Sequence, residues 1–213
     1  MAFSYRALDK IKVLIVGGGV LPAHLEEKLQ HSRIRAYATY GMTETLTHVA
    51  ARRLNGVERS EHYSAMPEVR FSSDARGCLE IHAPKLLEAP LVTNDLVQII
   101  DNQNFIYLGR IDDMINSGGV KHAPESIERK LKQYLKGNFI ISSLPHQTLG
   151  EQIVLVKDAH GPSEASIDEA VDHLTPLERP KLILKLEELP VTDTGKYKRK
   201  ELKAIILNQK NGL

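Results

Sequence analysis

Hydrophobic positions in this chain come mostly in short runs cut by turn residues, with longer amphipathic spacing in only a few places. "IKVLIVGGG" (Ile11–Gly19) is an apolar, β-branched run that stops at glycines, which predicts a buried strand. "LPAHLEEKLQ" follows with Pro22 early and Leu25 and Leu29 four apart, predicting a helix. "IRAYATYG" predicts a second strand, so the opening reads as a β-α-β unit with parallel strands. From Thr43 the spacing of Leu46, Val49 and Ala50 predicts another helix. Between about Arg59 and Arg110 the pattern shortens to "EVRFS", "SDARG", "CLEIHAP" and "DLVQIIDNQNFIYLG", a set of short strands and turns. The last of these folds as a hairpin around Asp101–Asn104.

Past Arg110 the character changes again. "APESIERKLKQYL" places Ile127, Leu131 and Leu135 on one helical face behind an early Pro124. "FIISSL", "EQIVLVKD" and "KLILKLEEL" predict strands, and "SIDEAVDHL" predicts a helix opened by a Ser166/Glu169 capping box. "PVTDTGKYKRKEL" predicts an extended approach, a turn at Thr194-Gly195 and a basic final helix. The expectation is therefore an α/β and α+β chain of two bodies, residues 1–111 and 112–213, joined near Ile111–Asp113.

Composition narrows the function classes. The 213 residues are 42% hydrophobic and 26% charged, with no tryptophan, which is ordinary for a globular protein. Lys+Arg is 28 against Asp+Glu 27, so no global basic field exists to hold nucleic acid or an anionic membrane. Cys78 is the single cysteine, which excludes an internal disulfide and a cysteine-cluster metal site and fits a reducing compartment. No apolar run reaches the roughly 18 residues of a membrane span, and "MAFSYRALDK" lacks a secretory apolar core. The expectation is a cytoplasmic protein. Oligomeric state is left open, a homo-oligomer included.

Three stretches could carry chemistry, and each also has a plainer use. In "TYGMTETLTH" the hydroxyl of Thr43 and the carboxylate of Glu44 stand where a helix start would favour an anion and a bridging cation. The plainer use is a threonine cap with an acidic first turn. In "TNDLVQII", Asp95 at a strand start can accept two hydrogen bonds from a vicinal diol, with Arg110 as a cationic partner. The plainer use is an Asp95–Arg110 cross-strand ion pair. Ser117–Gly119 lets a backbone approach closely or simply turns the chain. Lys196, behind a turn glycine, suits charge on phosphate oxygens or is an exposed helix-start charge. The glycines Gly17–Gly19 match neither a dinucleotide nor a Walker motif, and the histidines show no metal-ligand spacing.

Taken in order, these stretches resemble the adenylate-forming enzymes: acyl-CoA synthetases, luciferases and peptide-synthetase adenylation domains. "YGMTET" is similar to that family's Tyr-Gly-x-Thr-Glu motif, and "TNDL" to its Thr-Gly-Asp-Leu with Asn94 in place of glycine. "GRIDDMINSGGVKHAPESIE" is similar to its hinge segment, and "LPVTDTGKYKRKEL" to its closing Pro-x-T-x-x-G-K-x-x-R. The resemblance spans about Ile11 to Leu202. It implies that Tyr40 and Gly41 border adenine, Thr43 contacts the nucleotide phosphate and Glu44 holds magnesium. Asp95 would hold the ribose with help from Arg110, and Asp112 would be the hinge. Gly119 would line the thiol channel, and Lys196 would be the adenylation lysine. The substrates implied are ATP, coenzyme A and a small carboxylate. The wording "THVAARRLNG" and "INSGGVK" is most similar to o-succinylbenzoate–CoA ligases of menaquinone synthesis. The family's Ser/Thr/Gly-rich phosphate loop lies upstream of the Gly17–Gly19 segment and has no match here. The expectation is thus the C-terminal part of a ligase: the end of the large domain, with its β-α-β unit and small antiparallel β region, then a small mobile α+β domain. It would be inactive alone and would partner the N-terminal portion of the same enzyme. Another acyl- or aryl-CoA ligase, or a non-catalytic nucleotide-binding module of this fold, is the alternative.

Overall fold

The computed structural model describes residues 11–18, 29, 30, 32–193 and 195–211. The chain divides into two compact units, Met1–Tyr107 and Leu108–Leu213. The helix expected from Leu21 lies mainly outside the described residues, as does Gly19.

The first unit is built on one mixed sheet. Strand β1 (Val13–Val16) pairs in parallel with β2 (Arg35–Gly41), as the β-α-β reading expects. Strands β3 (His48–Arg53) and β4 (Tyr63–Ala65) then continue antiparallel from β2. The sheet closes with β8 (Asn104–Arg110), β7 (Leu91–Asp101), β6 (Cys78–His82) and β5 (Arg70–Ser73), giving the order β1-β2-β3-β4-β8-β7-β6-β5. Its main core gathers Val49, Ala50, Phe71, Leu79, Ile81 and Phe105, all buried. Buried Asn55 fastens the other end by donating to the carbonyls of Leu29 (2.7 Å) and Ile34 (2.8 Å) while its oxygen accepts from Ala36 (3.1 Å). Satisfying a buried amide in this way avoids the cost of leaving it dry and unbonded.

The region after Thr43 departs from the helical expectation. It is a single 3-10 turn, Thr43–Thr45, followed by strand β3. Leu46, which the helical spacing counted as an inward residue, is 86% exposed with φ of 59°. Pairing of Ala50 and Ala51 with Tyr40 and Thr39 wins over local spacing, because it buries Val49 and Ala50 and completes the ladder.

The second unit has strands β9 (Ile115–Ser117) and β10 (Val120–His122), joined by Gly118 (φ 61°) and Gly119 (φ 80°). Two central residues with positive φ are what the tightest right-twisting hairpin turn requires, and glycine adopts that conformation at both without steric cost. Helix α1 (Pro124–Leu131) follows, then β11 (Phe139–His146) and β12 (Gly150–Lys157), which pair antiparallel over their whole length. Helix α2 (Glu164–Val171), β13 (Leu182–Lys185, parallel to β12) and helix α3 (Arg199–Asn211) complete the unit. The N-cap of helix α2 lies three residues before the expected one. Ser163, and not Ser166, is the N-cap, its hydroxyl accepting from Ser166 N–H at 3.2 Å.

The apolar runs of β11 and β12 serve two cores. Phe139, Ile141, Ile153 and Leu155 face α1 and α2 with Ile127, Leu131, Ile167 and Ala170. The alternate residues Ile140, Leu144, Val154 and Val156 face α3 through Leu202 and Ile206. A strand covered on both faces reads as a continuous apolar run, which explains why "FIISSL" and "IVLV" show no alternation. Among the described residues no helix is long and apolar enough to cross a membrane.

Candidate functional site

On the first unit, Tyr40 and Asp95 meet although 55 positions separate them. The Tyr40 hydroxyl donates to Asp95 Oδ2 at 2.5 Å, and the Asp95 N–H donates to Thr93 Oγ1 at 3.0 Å. Asp95 and Thr93 are buried, at 7% and 6% exposure. Asp95 stands in the middle of the eleven-residue strand β7, not at a strand start as its sequence context suggested. The Tyr40 ring is wedged edge-on against Phe105 (5.2 Å between centroids) and Tyr63 (5.9 Å). Burial, then the adjacent Asp95 carboxylate, pushes the Tyr40 hydroxyl far above its ordinary pKa, so it remains a donor. A buried carboxylate with one oxygen already engaged is a fixed acceptor, suited to hydroxyls of a ligand that docks beside it.

Gly41 ends β2 at a bulge. A Cβ there would lie 2.5 Å from the Thr47 carbonyl oxygen, so only glycine allows the two backbones this close. Thr45, fully buried, secures the turn. Its hydroxyl accepts from Met42 N–H (3.1 Å) and can donate to the carbonyl of Met42 (2.9 Å) or Thr47 (2.8 Å). The turn leaves Thr43 and Glu44 exposed at the tip of the β2–β3 hairpin. They do not open a helix, so no helix dipole supports an anion there. A magnesium ion takes one or two carboxylates together with substrate phosphate oxygens. Exposed Glu44 fits as one such ligand. Among the described residues no cluster of three or more His, Cys, Asp or Glu is arranged to hold a metal by itself. Two open clefts of this unit, about 620 and 640 Å³, are lined by Arg52, Arg53 and His62 and by Arg70, His82 and Asn102, and contain none of these site residues.

On the second unit, Arg110 is exposed and pairs with Asp112 at 3.2 Å, within the 3-10 turn Ile111–Asp113. Gly119 sits in the β9–β10 turn, where an added Cβ would meet nothing within 4 Å. Lys196 is exposed on a loop that closes on itself. Thr192 N–H donates to the Lys196 carbonyl (2.7 Å), Gly195 N–H to the Thr192 carbonyl (2.8 Å) and Lys196 N–H to Thr192 Oγ1 (3.1 Å). Gly195 has φ of 79°, which explains the glycine before the lysine. Val191 bridges Tyr197 behind the loop, and Tyr197 packs into the core beside Leu202. Lys196 is therefore presented by a built turn and is not a charge on a frayed helix end.

A further group of charges was not anticipated from the sequence. Arg199, the first residue of α3, is largely buried at 18% side-chain exposure among Glu125, Glu128 and Asp113. Burial works against its charge, but Glu128 and Glu125 outweigh this and raise its pKa. Glu125 is pushed up to about 7, first by burial, with Glu128 and Asp113 adding to what Arg199 opposes. The signal available in the sequence was Glu128 itself, a carboxylate on the same helical stripe as Ile127 and Leu131.

No protein-family model matches this chain. The fold is that of the C-terminal part of adenylate-forming enzymes. A variant of E. coli MenE with bound OSB-AMS covers 93% of this chain and 46% of its own, at TM-score 0.74 and 22% identity. ATP-bound MatB from Rhodopseudomonas palustris covers 94% of this chain and 49% of its own, at TM-score 0.72 and 21% identity. In sequence, the chain is similar to the 2-succinylbenzoate–CoA ligases. That of Lactococcus lactis is 28% identical over 92% of this chain and 47% of its own length, and that of a Geobacillus species 26% identical over 96% and 48%. The chain spans about half the length of the curated relatives it matches.

Proposed function

We propose that this chain supplies the C-terminal part of an ATP-dependent acid–CoA ligase, with o-succinylbenzoate as the carboxylic acid. The observation that carries this reading is the match of nearly the whole chain to 2-succinylbenzoate–CoA ligases, together with Asp95 and Lys196 presented on built structures. In the first half-reaction a carboxylate oxygen attacks the α-phosphorus of ATP, forming the acyl-adenylate and releasing pyrophosphate. Asp95, oriented by Tyr40, accepts the ribose hydroxyls, and Tyr40 and Gly41 border the adenine. Thr43 contacts phosphate, and Glu44 contributes one ligand to the magnesium that travels with ATP. Lys196 places a positive charge where negative charge develops on the phosphate oxygens. In the second half-reaction the sulfur of coenzyme A attacks the acyl carbon, forming the thioester and releasing AMP. The thiol proton passes to solvent. Asp112 is the hinge in this reading, withdrawing Lys196 and bringing up the Gly119 turn, with Arg110 assisting at the ribose. One site can serve both reactions in turn through such a step.

The test measures pyrophosphate release from ATP, magnesium and o-succinylbenzoate. It is run on the 213-residue chain and on the same chain fused to the N-terminal half of the Lactococcus lactis relative. The chain alone is expected to be silent and the fusion active. Turnover by the chain alone at about 1 per second or faster would overturn the partial-enzyme reading. A folded fusion that releases no pyrophosphate would overturn the ligase reading.

A further inference from the structure

The Lys196 loop can be no better placed than the start of α3, to which it leads. Arg199 stands three residues beyond Lys196. Its Nη2 donates to both oxygens of Glu128 at 3.0 and 2.9 Å, and its Nη1 donates to the Ile141 carbonyl at 3.0 Å. Its Nε lies 3.1 Å from Glu125 Oε1 and 3.9 Å from Asp113 Oδ2. Glu128 Oε1 in turn accepts from Ile141 N–H at 2.8 Å. One helical turn on, Lys203 reaches Glu151 Oε1 at 2.6 Å. The Glu151 carboxylate also accepts from the Ser143 hydroxyl (2.7 Å) and the Asn116 N–H (2.9 Å). The first turn of α3 is thus tied to α1, β11 and Asp113, and the second to β12 through Glu151, which also holds Ser143 and Asn116.

We propose that Arg199 is a positioning residue, whose guanidinium locks the first turn of α3 onto α1 and the Ile111–Asp113 turn and so sets where the Lys196 loop is held. The catalytic consequence rests on the ligase reading, but the structural claim does not. The arrangement is poorly explained as a device for stability. Desolvating an arginine and two carboxylates offsets most of their attraction, and apolar replacements of such groups are often neutral. It does fix direction, because a planar fork with several simultaneous acceptors has few allowed orientations. A lysine keeps the charge and loses that constraint. The raised pKa of Arg199 agrees with a charge held permanently in place.

The test uses hydrogen exchange in the 213-residue chain, comparing the Gly195 and Lys196 amides with the Val154 and Leu155 amides of the core. The variants are Arg199→Lys and the charge-neutral combination Arg199→Met, Glu125→Gln, Glu128→Gln. Loop amides are expected to exchange at least about tenfold faster in both while core amides keep their protection. Unchanged loop exchange in a variant whose core is intact overturns the proposal. If the combination loosens the core as well, Arg199→Lys alone decides in the same two ways. In the fused enzyme, Arg199→Lys is expected to lower kcat for pyrophosphate release about 10²-fold with KM for ATP unchanged, the signature of a misplaced group and not of lost binding. An unchanged kcat for Arg199→Lys, where Lys196→Ala abolishes release, overturns the proposal. If Lys196→Ala releases pyrophosphate normally, the ligase role of that lysine has failed, and the exchange result alone judges the positioning of the loop.

Discussion

Glu125→Gln should make the second unit more stable at high pH and flatten its pH dependence. Glu125 Oε2 is buried without a hydrogen-bond partner, packed against Gly109, while Oε1 lies 3.1 Å from Arg199. The groups that face it are Arg199 from α3, Glu128 from its own helix and Asp113 from the preceding turn. Burial and the two like charges outweigh the single cation and lift the carboxyl from 4.5 to about 7. The folded state therefore binds this proton more tightly than the unfolded state. The resulting stability is fully present below about 4.5 and is lost as pH rises through about 7. At ~1.36 kcal/mol per pH unit, the loss is about 3 kcal/mol. Glutamine imitates the protonated acid at every pH. The two proteins should match near pH 4.5, and the variant should gain about 3 kcal/mol over the parent by pH 8. The attraction to Arg199 that glutamine gives up is already counted, since the raised value is the net of all these effects. The assay is hydrogen exchange of the Ile141 and Leu155 amides across this pH range, which reports on this unit without requiring the whole chain to unfold in one step. All other titrating groups are common to both proteins and cancel in the difference. A difference that stays flat from pH 4.5 to 8, or that favours the parent at high pH, would refute the reasoning.

Lys196→Ala in the fused enzyme should cut acyl-adenylate formation by about 10³-fold or more, as for other losses of a charge at a transition state, and should spare thioester formation from supplied acyl-adenylate. Equal loss in both half-reactions, followed by pyrophosphate and thioester assays, would contradict that role. Tyr40→Phe should weaken AMP binding by the chain several-fold and destabilise the first unit by about 1–3 kcal/mol, because it leaves a buried carboxylate oxygen without its donor. Calorimetry showing unchanged affinity would separate Asp95 from the nucleotide. Gly41→Ala should open the turn that presents Thr43 and Glu44, since its Cβ would lie 2.5 Å from one backbone atom and 2.8 Å from another. The expected cost is about 1–3 kcal/mol, read from a urea melt, and a neutral result would mean that the bulge relaxes freely.

What could be read from residue order alone follows the range of the forces involved. Strands β11 and β12 were legible because their burial on both faces is written into consecutive residues. The hairpin from β7 to β8 was legible because its turn is local. The stretch from Thr43 was misread because Leu46, Val49 and Ala50 satisfy a helical period by chance of spacing. What decides it is the ladder between β2 and β3, which pairs residues up to Tyr37 and Arg53, with the Thr45 hydroxyl securing the tight turn between them. The candidate site divides in the same way. Lys196 and Asp95 were singled out through motifs, but the Tyr40 hydroxyl on Asp95 spans 55 positions and Arg199 on Glu128 spans 71, so neither pairing is written in local spacing.

One of those long-range contacts did have a half-visible signal. The buried residues of α1 are Pro124, Ile127, Glu128 and Leu131, which follow the spacing of a single apolar stripe with a carboxylate on it. A charge on a buried stripe must find an opposite charge or give up its ionisation, since an unpaired buried carboxylate is too costly. "GKYKRKEL" offers several cations for that purpose. Lys196, Lys198 and Lys200 are exposed, and Arg199 alone among them turns inward. The choice falls on the residue whose fork can satisfy both oxygens of Glu128, an oxygen of Glu125 and a backbone carbonyl together, which a lysine's single nitrogen cannot do. The same choice leaves Lys196, one turn earlier, free of that cluster and pointed outward on a loop whose base is anchored. A basic run that reads as uniform in sequence is thus divided by geometry into one residue that holds and one that is presented.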